Sequence, residues 1–105
     1  MRPYRNLKMA SLIEEELSKL LLREFDFNGA LVTITGVQIG EDLLQARVKL
    51  AIIPYEKGPE IYLEITKRRG ELQHKLLKKM NIRPMPHIEF EIEENPASLP
   101  ADMAA

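Results

Sequence analysis

Apolar residues recur three and four apart at Ala10, Ile13, Leu17, Leu20 and Leu21, which is the spacing of one buried helix face. The pattern predicts a first helix from about Asn6 to Glu24. Within that span Glu14, Glu15 and Glu16 fall in the first half, the side of the helix dipole that favours carboxylates. Asp26-Phe27-Asn28-Gly29 then supplies stop-and-turn chemistry. From 30 to 39 (ALVTITGVQI) the period becomes alternating and β-branched residues dominate, so a strand follows. Its parity changes midway: Val32 and Ile34 share one face, Val37 and Ile39 the other, with Gly36 between them. A one-residue slip at a glycine predicts a β-bulge near Thr35-Gly36.

Gly40-Glu41-Asp42 turns the chain into a second strand. Leu44, Ala46, Val48, Leu50 and Ile52 are expected to point inward there, with Gln45, Arg47 and Lys49 outward. Gly58-Pro59 opens a further helical pattern, with proline at a favourable first position. Ile61, Ile65, Leu72 and Leu76 carry that pattern to about residue 80. Gly70 interrupts it, and the reading is two short helices with a kink or break near Arg69-Gly70, the second ending at Asn81. Ile88, Phe90 and Ile92 alternate with Glu89, Glu91 and Glu93 as a third strand with one apolar face. The order is α-β-β-α-α-β, an α+β fold of three strands with helices packed on one face. Residues 1–94 are expected to form one domain, and residues 95–105 a flexible tail.

Composition agrees with this. The 105 residues, 45% hydrophobic and 30% charged, suit one ordinary domain. No apolar stretch approaches the ~20 residues that span a bilayer, and Met1 to Arg5 is not followed by the apolar core of a secretory signal. A cytoplasmic protein without a membrane partner is the expectation. Cysteine is absent, which excludes disulfides, thiol catalysis and cysteine-held metals. His74 and His87 have no metal-site spacing, the serines have no nucleophile-elbow context, and the glycines form neither a P-loop nor GxGxxG. The sequence predicts no enzyme, no catalytic residue, no metal and no cofactor.

Charge changes the picture more. The net charge of −1 conceals a basic segment: residues 67–83 hold Lys67, Arg68, Arg69, Lys75, Lys78, Lys79 and Arg83 against Glu71 alone. Acidic stretches lie on either side, and local fields steer partners more than totals do. The segment reads either as a solvated helix face or as a phosphate-binding surface. Forked guanidinium groups and a helix start after Gly70 both suit phosphate. The alternating glutamates of the third strand read as solubilising edge residues or, alternatively, together with the tail (Glu89 to Asp102), as a docking site for a basic protein.

The element order is that of a type II KH domain, yet no GxxG occurs, the loop by which a standard KH domain clamps nucleotides. Glu16-Leu17-Ser18, Val32-Thr33-Ile34-Thr35-Gly36-Val37, Asp42-Leu43 with Ala46 and Val48, Gly70-Glu71-Leu72, and Ile82-Arg83 with Pro86, Ile88 and Phe90 follow one another in order and spacing. Together they resemble the ribosome-binding factor A family over residues 5 to about 93. The resemblance implies a KH-like fold in which an Ala-x-Gly helix junction, here Arg68-Arg69-Gly70, replaces GxxG. It further implies a non-enzymatic factor that binds 16S rRNA in the immature 30S subunit and assists late maturation and rRNA end processing; a monomer is the expectation. The expected RNA-contacting residues are Lys67, Arg68, Arg69, Gly70, Lys75, Lys78, Lys79 and Arg83, with Arg2, Arg5 and Lys8 as a second anchor. The chain departs from the family pattern with Arg68 for alanine, Glu71 for an aromatic and Gln73 for arginine. The alternatives are a module docking a basic ribosomal protein through the acidic third strand and tail, and a generic single-stranded RNA-binding KH relative.

Overall fold

The computed structural model describes residues 3–81 and 85–93, with side chains from residue 7 onward within the first helix. The expected tail, 95–105, lies outside the described residues. Helix α1 (Pro3–Glu24) starts three residues before the expected Asn6. Proline suits a first turn because its missing N–H has no helical partner there. The earlier start moves Glu14, Glu15 and Glu16 beyond the first turn, where the dipole argument no longer applies. Glu15 and Glu16 instead lie 3.6 and 3.5 Å from the Lys19 ammonium. Met9, Ile13, Leu17, Leu20 and Leu21 form the buried stripe, with Ala10 only half-buried. At the stop, Asn28 and Gly29 both take positive φ, and the Asn28 N–H donates to Asp26 Oδ1 at 3.0 Å.

Strands β1 (Leu31–Ile39) and β2 (Gln45–Ile53) pair antiparallel. Ile34 faces Leu50 and Gly36 faces Lys49, so Thr35 is the extra residue of the expected bulge. That slip lets Ile34 before it and Val37 and Ile39 after it all reach the core side. Ala46, Val48, Leu50 and Ile52 point inward as expected. Leu44 does not: it precedes β2 and is 58% exposed. Leu43 adopts φ +62°, and Asp42 Oδ1 accepts the Leu44 N–H at 3.0 Å. This left-handed step turns Leu43, rather than Leu44, against the core.

Helices α2 (Gly58–Lys67) and α3 (Arg69–Met80) lead to β3 (His87–Ile92), which pairs parallel with β2. The sheet order is β1-β2-β3 with β2 central. Ile61, Ile65, Leu72 and Leu76 bury their side chains in the same core as Ile88 and Phe90. A Cβ at Gly58 would lie 2.8 Å from Ile92 Cδ1, so glycine lets α2 begin close against β3. Asn81 caps α3 in the left-handed conformation, its N–H donating to the Leu77 carbonyl at 2.7 Å. No helix among the described residues is long and apolar enough to cross a membrane.

Candidate nucleic-acid interface

The helix junction is built around Arg68, one residue before the break expected at Arg69-Gly70. Arg68 has φ −103° and ψ 16°, and its N–H still donates to the Ile65 and Thr66 carbonyls. Its own carbonyl accepts the Leu72 N–H at 2.9 Å, so one residue joins two nearly continuous helices. Gly70 lies inside α3, exposed, and a Cβ there would meet no heavy atom within 4 Å. Glycine therefore does not create the bend. Gly70→Ala should raise stability by roughly 0.5–1 kcal/mol by narrowing the unfolded ensemble. A chemical denaturation curve checks this, and a loss of stability would show that the junction needs glycine.

The Arg68 side chain turns back onto the end of α1. Nη1 donates to the Glu24 carbonyl at 2.9 Å, satisfying a helix C-terminal acceptor that has no partner within its own helix. Nη2 lies 3.3 Å from Glu24 Oε1 and 2.6 Å from Glu71 Oε2. The guanidinium carbon sits 4.3 Å above the Phe25 ring centroid. Lys75 Nζ completes the group, 2.5 Å from Glu24 Oε1 and 3.3 Å from Glu71 Oε2. Two cations and two carboxylates thus close on one another across α1 and α3.

Titration follows from that closure. The hydrogen bond from Lys75, reinforced by the charges of Lys75 and Arg23 and by the Arg68 hydrogen bond, holds the Glu24 carboxyl below its ordinary range. The Arg68 hydrogen bond, then that of Lys75, does the same for Glu71. Glu24 pushes Lys75 up, and Glu71 pushes Arg68 up. A carboxylate with a depressed folded pKa adds stability above its ordinary value and loses it as pH falls through the depressed one. Melting temperature should therefore drop on acidification below roughly pH 4, and Arg68→Ala should flatten that drop by removing the largest influence on Glu71. An unchanged acid limb in Arg68→Ala would exclude the Arg68–Glu71 pair as its cause.

Arg69 points the other way. Its Nη1 donates to Gln73 Oε1 at 3.1 Å and to the Ile88 carbonyl at 3.3 Å. Gln73 Oε1 accepts the Ile88 N–H at 2.9 Å while Nε2 donates to the Pro86 carbonyl at 2.8 Å. The Tyr62 hydroxyl donates to the Phe90 carbonyl at 2.8 Å. Side chains of α2 and α3 thereby occupy the outer edge of β3, as a fourth strand would. Of the three departures from the family pattern, Arg68 and Glu71 pair with each other, while Gln73 separately anchors Arg69 and β3.

The basic segment is thus divided by its tertiary surroundings. Arg68, Arg69 and Lys75 have partners inside the fold, so reversing the charge of Arg68 and Arg69 would break contacts to α1 and β3. Lys67 and Lys78 are exposed and have no ion pair among the described residues. Lys8 is likewise exposed, and Lys79 has only a 3.9 Å approach to Glu16. Arg2 and Arg83, and the side chain of Arg5, lie outside the described residues. On the acidic strand, Glu89 pairs with His87 at 2.7 Å and Glu91 with Arg47 at 3.8 Å. Sequence reasoning missed the partner Glu24, the strand-like role of Gln73, and the cations Lys19 and Arg23. Only Glu71 was legible, three residues after Arg68 and four before Lys75.

Fold and junction define a small KH-like domain in which a one-residue helix break stands where a nucleotide-clamping GxxG loop would lie. The model of the ribosome-binding factor A family matches residues 5–99, and the chain belongs to that family. It is 30% identical over 92 residues to a Coxiella burnetii ribosome-binding factor A, covering 87% of this chain and 77% of that one. With the Bordetella petrii ribosome-binding factor A it is 32% identical over 89 residues, covering 84% of this chain and 65% of the relative. In fold it matches the crystal structure of the Thermus thermophilus factor with a TM-score of 0.69 at 17% identity, over 83% of this chain and 94% of that one. The solution structure of a Thermotoga maritima protein described as a putative ribosome binding factor A matches with a TM-score of 0.72 at 23% identity, over 95% and 99% of the two chains.

Proposed function

We propose that this chain is a non-enzymatic, cytoplasmic factor that binds the 30S ribosomal subunit through 16S rRNA and assists its late maturation, including processing of the rRNA ends. The observation that carries the reading is the family match across residues 5–99. A homology model of the Thermus thermophilus relative has been fitted into a cryo-EM map of a 30S complex, and this chain matches that model with a TM-score of 0.67 at 19% identity over 86% of its length and 94% of the model's. The cations left facing solvent, Lys67, Lys78, Lys79 and Lys8, supply the phosphate contacts, together with Arg2, Arg5 and Arg83. Gly70 presents the open backbone of the junction, and Arg68, Arg69 and Lys75 hold that junction in place. Phosphate contacts position a protein on RNA without reading sequence.

The test is sedimentation of the tagged chain with purified subunits. Co-migration with free 30S but not 70S particles is expected. Lys67→Glu combined with Lys78→Glu should weaken that association and lower the log–log salt slope by ~0.7–0.9 for each phosphate no longer neutralised. A wild-type chain that stays at the top of the gradient would overturn the reading.

A further inference from the structure

A groove of about 390 Å³ runs between the C-terminal half of α1 and α3. Five cations line it, Lys19, Arg23, Lys75, Lys78 and Lys79, against two carboxylates, Glu16 and Glu24. The two kinds of charge are not mixed evenly. Glu24 lies low in the groove, held by Lys75 and Arg68, and Glu16 lies low beside Lys19 and Lys79 at 3.5 and 3.9 Å. Both carboxylates are largely covered, with side-chain exposures of 21% and 16%. The rim is different: the Lys19, Arg23 and Lys79 side chains are 57%, 62% and 58% exposed, and Lys78 is exposed with no ion pair among the described residues. Cations thus stand on both walls, Lys19 and Arg23 on α1 facing Lys78 and Lys79 on α3. Lys19 and Lys79 approach Glu16, and Arg23 lies 3.6 Å from Glu24. Five cations therefore outnumber the two carboxylates, and Lys78 alone of the rim has no ion pair among the described residues.

We propose that this groove takes the phosphodiester backbone of a single RNA strand, with Lys19 and Arg23 supplying one wall of contacts and Lys78 and Lys79 the other. The proposal rests on the reading that this chain meets RNA, and it adds a place: the α1–α3 groove, which adjoins the helix junction through Glu24 and Lys75 and uses two α1 cations outside the basic segment. The paired floor matters physically. It holds Lys75 and Arg68 in short contacts with Glu24, whereas the exposed rim cations make only long approaches of 3.5–3.9 Å. An entering phosphate therefore competes with Glu16 for Lys19 and Lys79 and with Glu24 for Arg23, and meets Lys78 directly. Recognition there is electrostatic and strand-tracking, without base selection.

The test uses the full chain and a short oligouridine as probe, followed by NMR. Amide and side-chain shifts should concentrate at Lys19, Arg23, Lys78 and Lys79. Lys19→Gln with Arg23→Gln should lower the salt slope of oligouridine binding by ~0.7 for every phosphate left without its cation, and Lys78→Gln should lower it again. Because these side chains are mostly solvated, circular dichroism and melting temperature of the variants should match wild type. Shifts that fall elsewhere, an unchanged slope in the α1 double variant, or displacement of the RNA by an equal charge of polyglutamate would each overturn the groove assignment. Sedimentation with 30S particles separates the two readings. Wild-type protein that shows the groove shifts yet fails to join 30S removes the ribosomal reading and leaves the groove. Protein that joins 30S without any groove shift does the reverse.

Discussion

Leu50→Ala is expected to lower unfolding stability by about 2–5 kcal/mol, the loss of transfer free energy plus a residual cavity. Leu50 lies in β2, hydrogen-bonded through β1 on one side and β3 on the other, and its side chain is 0% exposed. Neighbours from three directions cannot all collapse into the space a leucine leaves. The domain as a whole should have about 5–15 kcal/mol, so this one truncation removes a large share of it. Lys49, one residue earlier and on the open face of the sheet, should tolerate change within about 0.5 kcal/mol. Urea unfolding of the two variants decides the matter, and equal effects would contradict the inward and outward assignment of β2.

The second large effect is expected at Gln73. Gln73→Ala removes the acceptor of the Ile88 N–H, the donor to the Pro86 carbonyl and the anchor of Arg69. Leaving covered backbone groups without partners costs roughly 1–3 kcal/mol. Hydrogen exchange gives the more specific readout, because the Ile88 amide should lose protection well before the amides of β2. Gln73→Glu keeps an acceptor for Ile88 but cannot donate to Pro86, so it should fall between wild type and alanine. An Ile88 amide that stays protected in Gln73→Ala would mean that the edge of β3 is closed by something other than this carboxamide.

Both predictions bear on how the surface is used. Edge strands invite pairing with other chains, and α2 and α3 close this one with Gln73, Arg69 and Tyr62. Docking a basic protein by strand addition at β3 would first have to displace three side chains. The RNA reading has no such obstacle, since Lys67 and Lys78 already face solvent.

Periodicity, with local turn and cap residues, determined the element order, most of the inward faces of α1, β2 and β3, the bulge at Thr35 and the cap at Asn81. These are local properties: each depends on residues within a turn or a few strand positions, where dihedral preference and apolar spacing act directly. It also located the one-sided basic segment. Local spacing misjudged Leu44, because a single left-handed residue at Leu43 reverses which side chain enters the core. It placed the helix break at glycine, whereas the chain bends at Arg68. What only the tertiary structure decided is which cations are free. Arg68 and Lys75 meet Glu24 from 44 and 51 residues away, and Arg69 meets a strand 19 residues on. Such pairings exist only once α3 has packed beside α1 and β3 has paired parallel with β2. A charge run in sequence records how many cations are present; the packing of the helices settles which of them hold the fold and which are left for a phosphate.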